Sequence, residues 1–236
     1  MNKLNKIRLP LDIMMTLVSI VLMGGNYLFP ADIVHEILGV ALFVLWSVHI
    51  FLNRRWYASL AQASKLITST NANDRRSYGA IFKGKYNPYR IMQTVINCCI
   101  LICTIFLMIS GIILSNQLFT FLNIQSGLGF ARIAHLLSSH WYYLFMSLHI
   151  GLHVGRLFQN VTAKILPRIL LALVCAYGIY AFIARGVWKY LVLKQQFFFF
   201  DLERGYILFA MDYISIIILF VVVSRLVVAS LKRRCD

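Results

Sequence analysis

The feature that most limits what this chain can become is a succession of apolar runs. Each is about long enough to cross a bilayer, which takes roughly 20 residues as a helix. There are six, at Leu11–Phe29, Ile33–Leu52, Ile91–Leu114, Ile133–Leu157, Ile165–Ala184 and Tyr206–Ala229. With 60% hydrophobic and 13% charged residues, the 236-residue chain is too apolar for a soluble domain of its size. The alternating strands of about ten residues that a membrane β-barrel requires are not visible. The expectation is an all-α, polytopic membrane bundle of six transmembrane helices, forming one membrane domain over residues 1–236. The first run exceeds the ~7–15 apolar residues of a secretory leader, so it reads as an uncleaved helix. Pro30, Ala31 and Asp32 divide the first two spans, with Asp32 suited to capping the second. Pro167 fits the first turn of the fifth.

The net charge of +15 invites a nucleic-acid reading, but the charges lie between the apolar runs and no soluble basic stretch is interleaved with aromatics. Nucleic acid is therefore set aside. Lys and Arg distribute 18 to one side of the membrane and five to the other, the five being Arg132, Arg185, Lys189, Lys194 and Arg204. By the positive-inside rule both termini are cytoplasmic, in the cell (inner) membrane. Spans two and four then run in the same direction. The polar stretch Asn53–Arg90 reads as a cytoplasmic loop with a short interfacial helix, touching anionic lipid rather than a soluble donor. Leu118–Phe130 and the aromatic Trp188–Phe200 read as loops on the outer interface. The five cysteines have no metal-site spacing and read as small packing residues.

All six histidines fall in spans two and four: His35 and His49 in one, His135, His140, His149 and His153 in the other. Ionisable groups inside membrane spans are costly and are functional candidates by default. His35 to His49 and His135 to His149 are both separations of 14 residues. That is close to four whole helical turns, so each pair shares a face, with its members ~21 Å apart along the axis. Two co-directional helices with matching pairs bring His35 opposite His135 and His49 opposite His149. This is the layout needed for two stacked haems b, each iron gripped by one imidazole from each helix. With both axial positions filled, the expected chemistry is electron transfer rather than oxygen chemistry.

The other polar residues leave alternatives. His153, one turn after His149, shares its face; it either replaces His149 as ligand or lies below the inner haem near propionates or a quinone. His140 points elsewhere and reads as structural, competing with His135 only if the helix is irregular. Gly39, Gly111 and Gly151 offer room for a flat macrocycle. Arg132, one turn before His135, suits an outer propionate, and Arg54, Arg55 or Arg156 an inner one. Glu36 is either a helix-start residue or a proton ligand. Asp212 either bonds a neighbouring helix or takes part in quinone protonation, and Arg225 can snorkel to the surface.

The paired histidines resemble the four-helix core of cytochrome b from quinol-oxidising complexes. The chain as a whole is similar to the flavinylation-associated cytochrome family. The likeness is carried by His-Glu-Ile-Leu-Gly at 35–39, Val-His-Ile-Phe-Leu-Asn-Arg-Arg-Trp at 48–56 and Arg132 with His135. His-Ile-Gly-Leu-His at 149–153 and the phenylalanine run followed by Met-Asp-Tyr at 211–213 add to it. It is best over residues 11–157, the expected di-haem core; the last two spans, over 165–230, match loosely and the 53–90 loop not at all. The resemblance implies haem-dependent electron transfer to an extracytoplasmic flavoprotein. This chain lacks a flavin-attachment motif, so any flavin belongs to a partner. Three function classes follow: a di-haem electron conduit fed by quinol or a cytoplasmic donor, a haem-stapled anchor subunit of a larger redox complex, and a histidine-dependent metal or proton transporter.

Overall fold

The computed structural model describes residues 3–25, 32–56, 58, 88–198 and 205–233. These fold into helices α1 (Lys3–Met23), α2 (Asp32–Leu52), α3 (Pro88–Leu114), α4 (Leu128–His153), α5 (Gly155–Ala163), α6 (Ile165–Ala184), α7 (Val187–Leu191) and α8 (Gly205–Arg233). No strand occurs among the described residues. The expected interfacial helix of the 53–90 loop falls almost wholly outside them.

Four helices are long and apolar enough to cross a membrane: α2, α3, α6 and the Gly205–Leu231 part of α8. Helices α1 and α4, with 21 and 26 residues, have the length but not the same apolarity. The reason is visible in their residues. Helix α1 carries Arg8 and Asp12, and α4 carries Arg132, its histidines and several serines. Helix α4 lies between α3 and α8, where its polar groups are enclosed: Ser138, His140 and Ser147 are all buried. A polar helix is tolerable in an apolar medium when neighbouring protein rather than hydrocarbon receives its polar atoms.

Several boundaries differ from the sequence reading; helix α4, for one, starts at Leu128, inside the stretch read as an outer loop. Helix α1 begins at Lys3 and runs through Pro10 instead of starting after it. The proline removes one backbone bond, while Arg8 donates to Leu52 O at 2.6 Å. That contact ties the head of α1 to the C-terminal carbonyls of α2, where a cation is favoured. Asp32 stands in the first turn of α2. The fourth span ends at His153, and after Val154 the separate helix α5 begins, so Leu157 belongs to α5.

The core joins α4 to α6, α7 and α8 through Tyr142, Tyr143, Met146, Ala181, Val187, Phe209, Tyr213 and Ile216, with Met23 of α1 and Cys103 of α3. Small residues set the closest crossings. A Cβ on Gly151 would stand 2.6 Å from Ser224 Cβ, and one on Gly178 would stand 2.6 Å from Ser215 O. Backbones that approach this closely give dispersion contacts, the main driving force between helices in lipid. Helix α2 differs from the other long helices: none of its residues is buried. It pairs with α1 and touches α3, but it meets α4 only sparsely, across a gap.

Candidate functional site

The gap between α2 and α4 is where the paired histidines meet. The rings of His35 and His135 have centres 6.3 Å apart, and those of His49 and His149 are 6.4 Å apart. Antiparallel helices would pair His35 with His149, so α2 and α4 run the same way. An iron held by two imidazole nitrogens at ~2.0 Å, each ring centre ~1.1 Å behind its nitrogen, separates the centres by roughly 6.2 Å. Both pairs stand at that spacing.

Hydrogen bonds fix which nitrogen is available. His49 Nδ1 lies 2.7 Å from the Asp12 carboxylate, which only accepts, so Nδ1 carries the proton. His149 Nδ1 donates to Asn97 Oδ1 at 2.8 Å for the same reason. Ser110 Oγ already donates to Phe106 O at 2.6 Å, so at 3.0 Å from His135 Nδ1 it accepts. In three of the four rings Nδ1–H is therefore anchored and Nε2 keeps its lone pair for a metal. The same outer-shell arrangement orients metal-bound histidines generally. Asn53 Nδ2 donates weakly to His49 Nε2 at 3.3 Å, consistent with a lone pair there. Among the described residues, none partners the buried His35 Nδ1. Asp12, Asn97 and Ser110 were not singled out from the sequence. An aspartate and an asparagine inside spans were the signals that could have found them.

Around His35 and His135 lies a cavity of ≈290 Å³, walled by α1, α2, α3 and α4. Its lining is mostly apolar, including Met23, Val40, Phe43, Leu107 and Met108, with Gly39 on one wall and Gly111 on another. A Cβ on Gly39 would meet nothing within 4 Å, and Gly111 lies against the His135 ring. Glu36 closes one end. Its carboxylate accepts from Ser115 Oγ at 2.6 Å and from Asn116 and Leu118 N–H at 2.8 Å each, fastening α2 to the turn after α3. This clasp is neither of the roles expected for it.

The remaining candidates lie elsewhere. His153 is exposed, with its ring centre 4.6 Å from that of His149, and it lines a separate polar cleft. Gly151 faces α8 at the Ser224 crossing rather than the gap. Arg132 is exposed in the first turn of α4. His140, 1% exposed, turns to the other side, stacking on Tyr190 at 4.3 Å and donating from Nδ1 to Leu136 O at 2.8 Å. Asp212 bonds a neighbouring helix: Tyr177 OH donates to it at 2.5 Å and Arg185 Nε at 2.7 Å. Arg185, counted from the sequence as a surface charge, is thus the buried partner of an ion pair.

The donor chemistry suits an iron that brings its own equatorial ligands. Among the described residues no three His, Cys, Asp or Glu side chains converge on one point, as a bare ion caged by protein would require. Two facing imidazoles suffice for a porphyrin iron, whose macrocycle supplies the other four donors. No protein-family model, curated protein or solved structure matches the chain.

Proposed function

We propose that this chain carries electrons across a membrane through two b-type haems, one held by His35 and His135 and the other by His49 and His149. The observation that supports this most is the pair of equal ring spacings, 6.3 and 6.4 Å, about four helical turns apart on co-directional helices. Haem held there by His35 with His135 and by His49 with His149 would supply a one-electron couple. The chain's residues do the rest. Ser110, Asn97 and Asp12 hold the Nδ1 protons and turn Nε2 outward to the metal. Leu107, Met108 and Phe43 keep water from the outer pair, and the absent side chains of Gly39 and Gly111 leave room for a flat ring. In this reading α1 and α4 cross the bilayer with the four more apolar helices, giving six spans with both termini cytoplasmic.

The motif likeness to flavinylation-associated cytochromes suggests the partners: quinol or a cytoplasmic donor on the His49–His149 side, and an extracytoplasmic flavoprotein as acceptor beyond His35 and His135. The deciding experiment is a reduced-minus-oxidised spectrum and pyridine haemochrome assay on the purified chain. Two haems b per chain are expected, and none after replacement of all four histidines. Absence of a b-type α-band from protein expressed with ample haem would end the proposal.

A second reading is favoured by one observation. Helix α2 has no buried residue, so whatever fills the gap also joins α2 to the bundle, as in an anchor subunit whose haem is mainly structural. Rapid reduction of both haems by a quinol analogue, followed by oxidation by an impermeant acceptor, separates the conduit from the anchor.

A further inference from the structure

Away from the histidine gap, the chain builds a second polar site where α4 breaks. Only Val154 separates α4 from α5, and as the residue before α5 it offers no side-chain cap. The first N–H groups of a helix have no partner within it. Among the described residues no backbone acceptor takes those of Gly155, Arg156 or Leu157, the first bond being Phe158 N–H to Val154 O at 2.9 Å. These groups front a cleft with ≈860 Å³ of empty space.

Arg225 of α8 reaches into the same place. A Cβ on Gly155 would stand 3.1 Å from its Nη1 and 3.3 Å from its Cζ, so the guanidinium lies flat on the glycine backbone. Phe158 flanks it at 5.8 Å, and among the described residues its buried Nε has no hydrogen-bond partner. Arg156, His153, Tyr89 and Gln159 complete the polar lining, and no carboxylate is part of it. Two guanidinium groups, an imidazole and uncapped N–H groups around one cleft make an anion receptor.

We propose that this cleft binds a phosphate group, either the headgroup phosphate of an anionic phospholipid or free phosphate, with Arg225 and the start of α5 as the receptor. The assignment stands whether or not the histidine pairs hold haem, and its test does not use redox activity. The full-length protein in dodecylmaltoside is titrated with dioleoylphosphatidylglycerol, with phosphate-free dioleoylglycerol, and with inorganic phosphate, while the thermal midpoint is followed. A ligand that binds the folded state raises the midpoint saturably. Phosphatidylglycerol is expected to do so and dioleoylglycerol is not. A saturable rise with inorganic phosphate identifies the free anion as sufficient; a rise with the lipid alone identifies the headgroup. Arg225→Gln is expected to weaken the apparent affinity by about tenfold or more, as a charge-assisted hydrogen bond is removed. Arg156→Gln, at an exposed position, tests the same site should the first variant fail to fold. An equal response to dioleoylglycerol, no saturable response to either phosphate probe, or both variants responding as the parent does, overturns the proposal.

Discussion

Replacing Asp12 by asparagine removes a negative charge from directly behind His49 while keeping an acceptor for its Nδ1 proton. The carboxylate oxygen lies 2.7 Å from Nδ1. Adding ~2 Å across the ring and a ~2.0 Å metal–nitrogen bond puts the charge roughly 7 Å from an iron bound at Nε2. A unit charge at that distance favours the ferric over the ferrous state by about 2.4 kcal/mol at an effective dielectric of ~20. Asp12 is 48% exposed, so solvent screening about halves this, to ~1.2 kcal/mol. For a one-electron couple, where tenfold in the equilibrium constant is ~59 mV, the range is about 50–100 mV. The sign is fixed: an anion stabilises the more positive iron, so Asp12→Asn raises the midpoint potential. Only the haem at His49 and His149 should respond strongly, because the other iron is ~21 Å further along the helix. The assay is an anaerobic optical redox titration of the α-band, fitted to two one-electron components. A shift shared equally by both components, no shift, or a fall in potential would refute the assignment of Asp12 as the charge behind one ligand.

Three further outcomes test other parts of the structure. Ser110→Ala removes the acceptor for His135 Nδ1–H and should weaken haem retention about 10–100-fold at the outer pair alone, read as loss of about half the haem on gel filtration. Asp212→Asn leaves the Arg185 guanidinium buried beside a neutral side chain; the ion pair's loss should cost about 3–5 kcal/mol, seen as a lower thermal midpoint with the haem spectrum of the surviving folded fraction unchanged. Gly151→Val forces a side chain against Ser224 and Val221 O, and should destabilise the α4–α8 crossing by about 1–3 kcal/mol in the same assay, whereas Gly39→Ala, facing open space, should leave unfolding unaltered.

What could be read from the sequence was whatever depends on one helix at a time. The 14-residue repeat of His35–His49 and His135–His149 is a property of helical pitch, and it survives any arrangement of neighbours. Apolar runs likewise located helices, and Pro167 marked a helix start. What escaped depends on how helices are rotated against each other. That Asp12 reaches His49, Asn97 reaches His149 and Ser110 reaches His135 follows from the azimuths of α1 and α3, which spacing does not encode. The same is true of Gly151: its place opposite His49 or opposite Ser224 differs by a rotation of α4. Helix α1 runs through Pro10, and the partner of Arg8 is a distant carbonyl, Leu52 O, which no local pattern names. The expected six equal spans separated into four strongly apolar helices and two polar ones, because hydropathy measures a helix as if lipid surrounded it.

The unburied α2 also bears on how such a bundle is assembled. Helices α4, α6 and α8 interlock through close backbone crossings and an aromatic core, with α3 packed along α4. Helix α1 is seated on α4 through Met23 and the buried Ser19–Tyr142 contact, whereas α2 has the Arg8–Leu52 bond and the Glu36 clasp at its ends but no buried residue of its own. Helix α2 alone is thus held chiefly at its two ends, with His35 and His49 set along the face toward α4. A broad, flat guest can slide in sideways from the lipid while α2 stands away from α4, without threading past either aqueous mouth. If the gap holds haem as proposed, the empty and filled forms should differ in how readily α2 exchanges its amide protons while α4, α6 and α8 exchange alike in both.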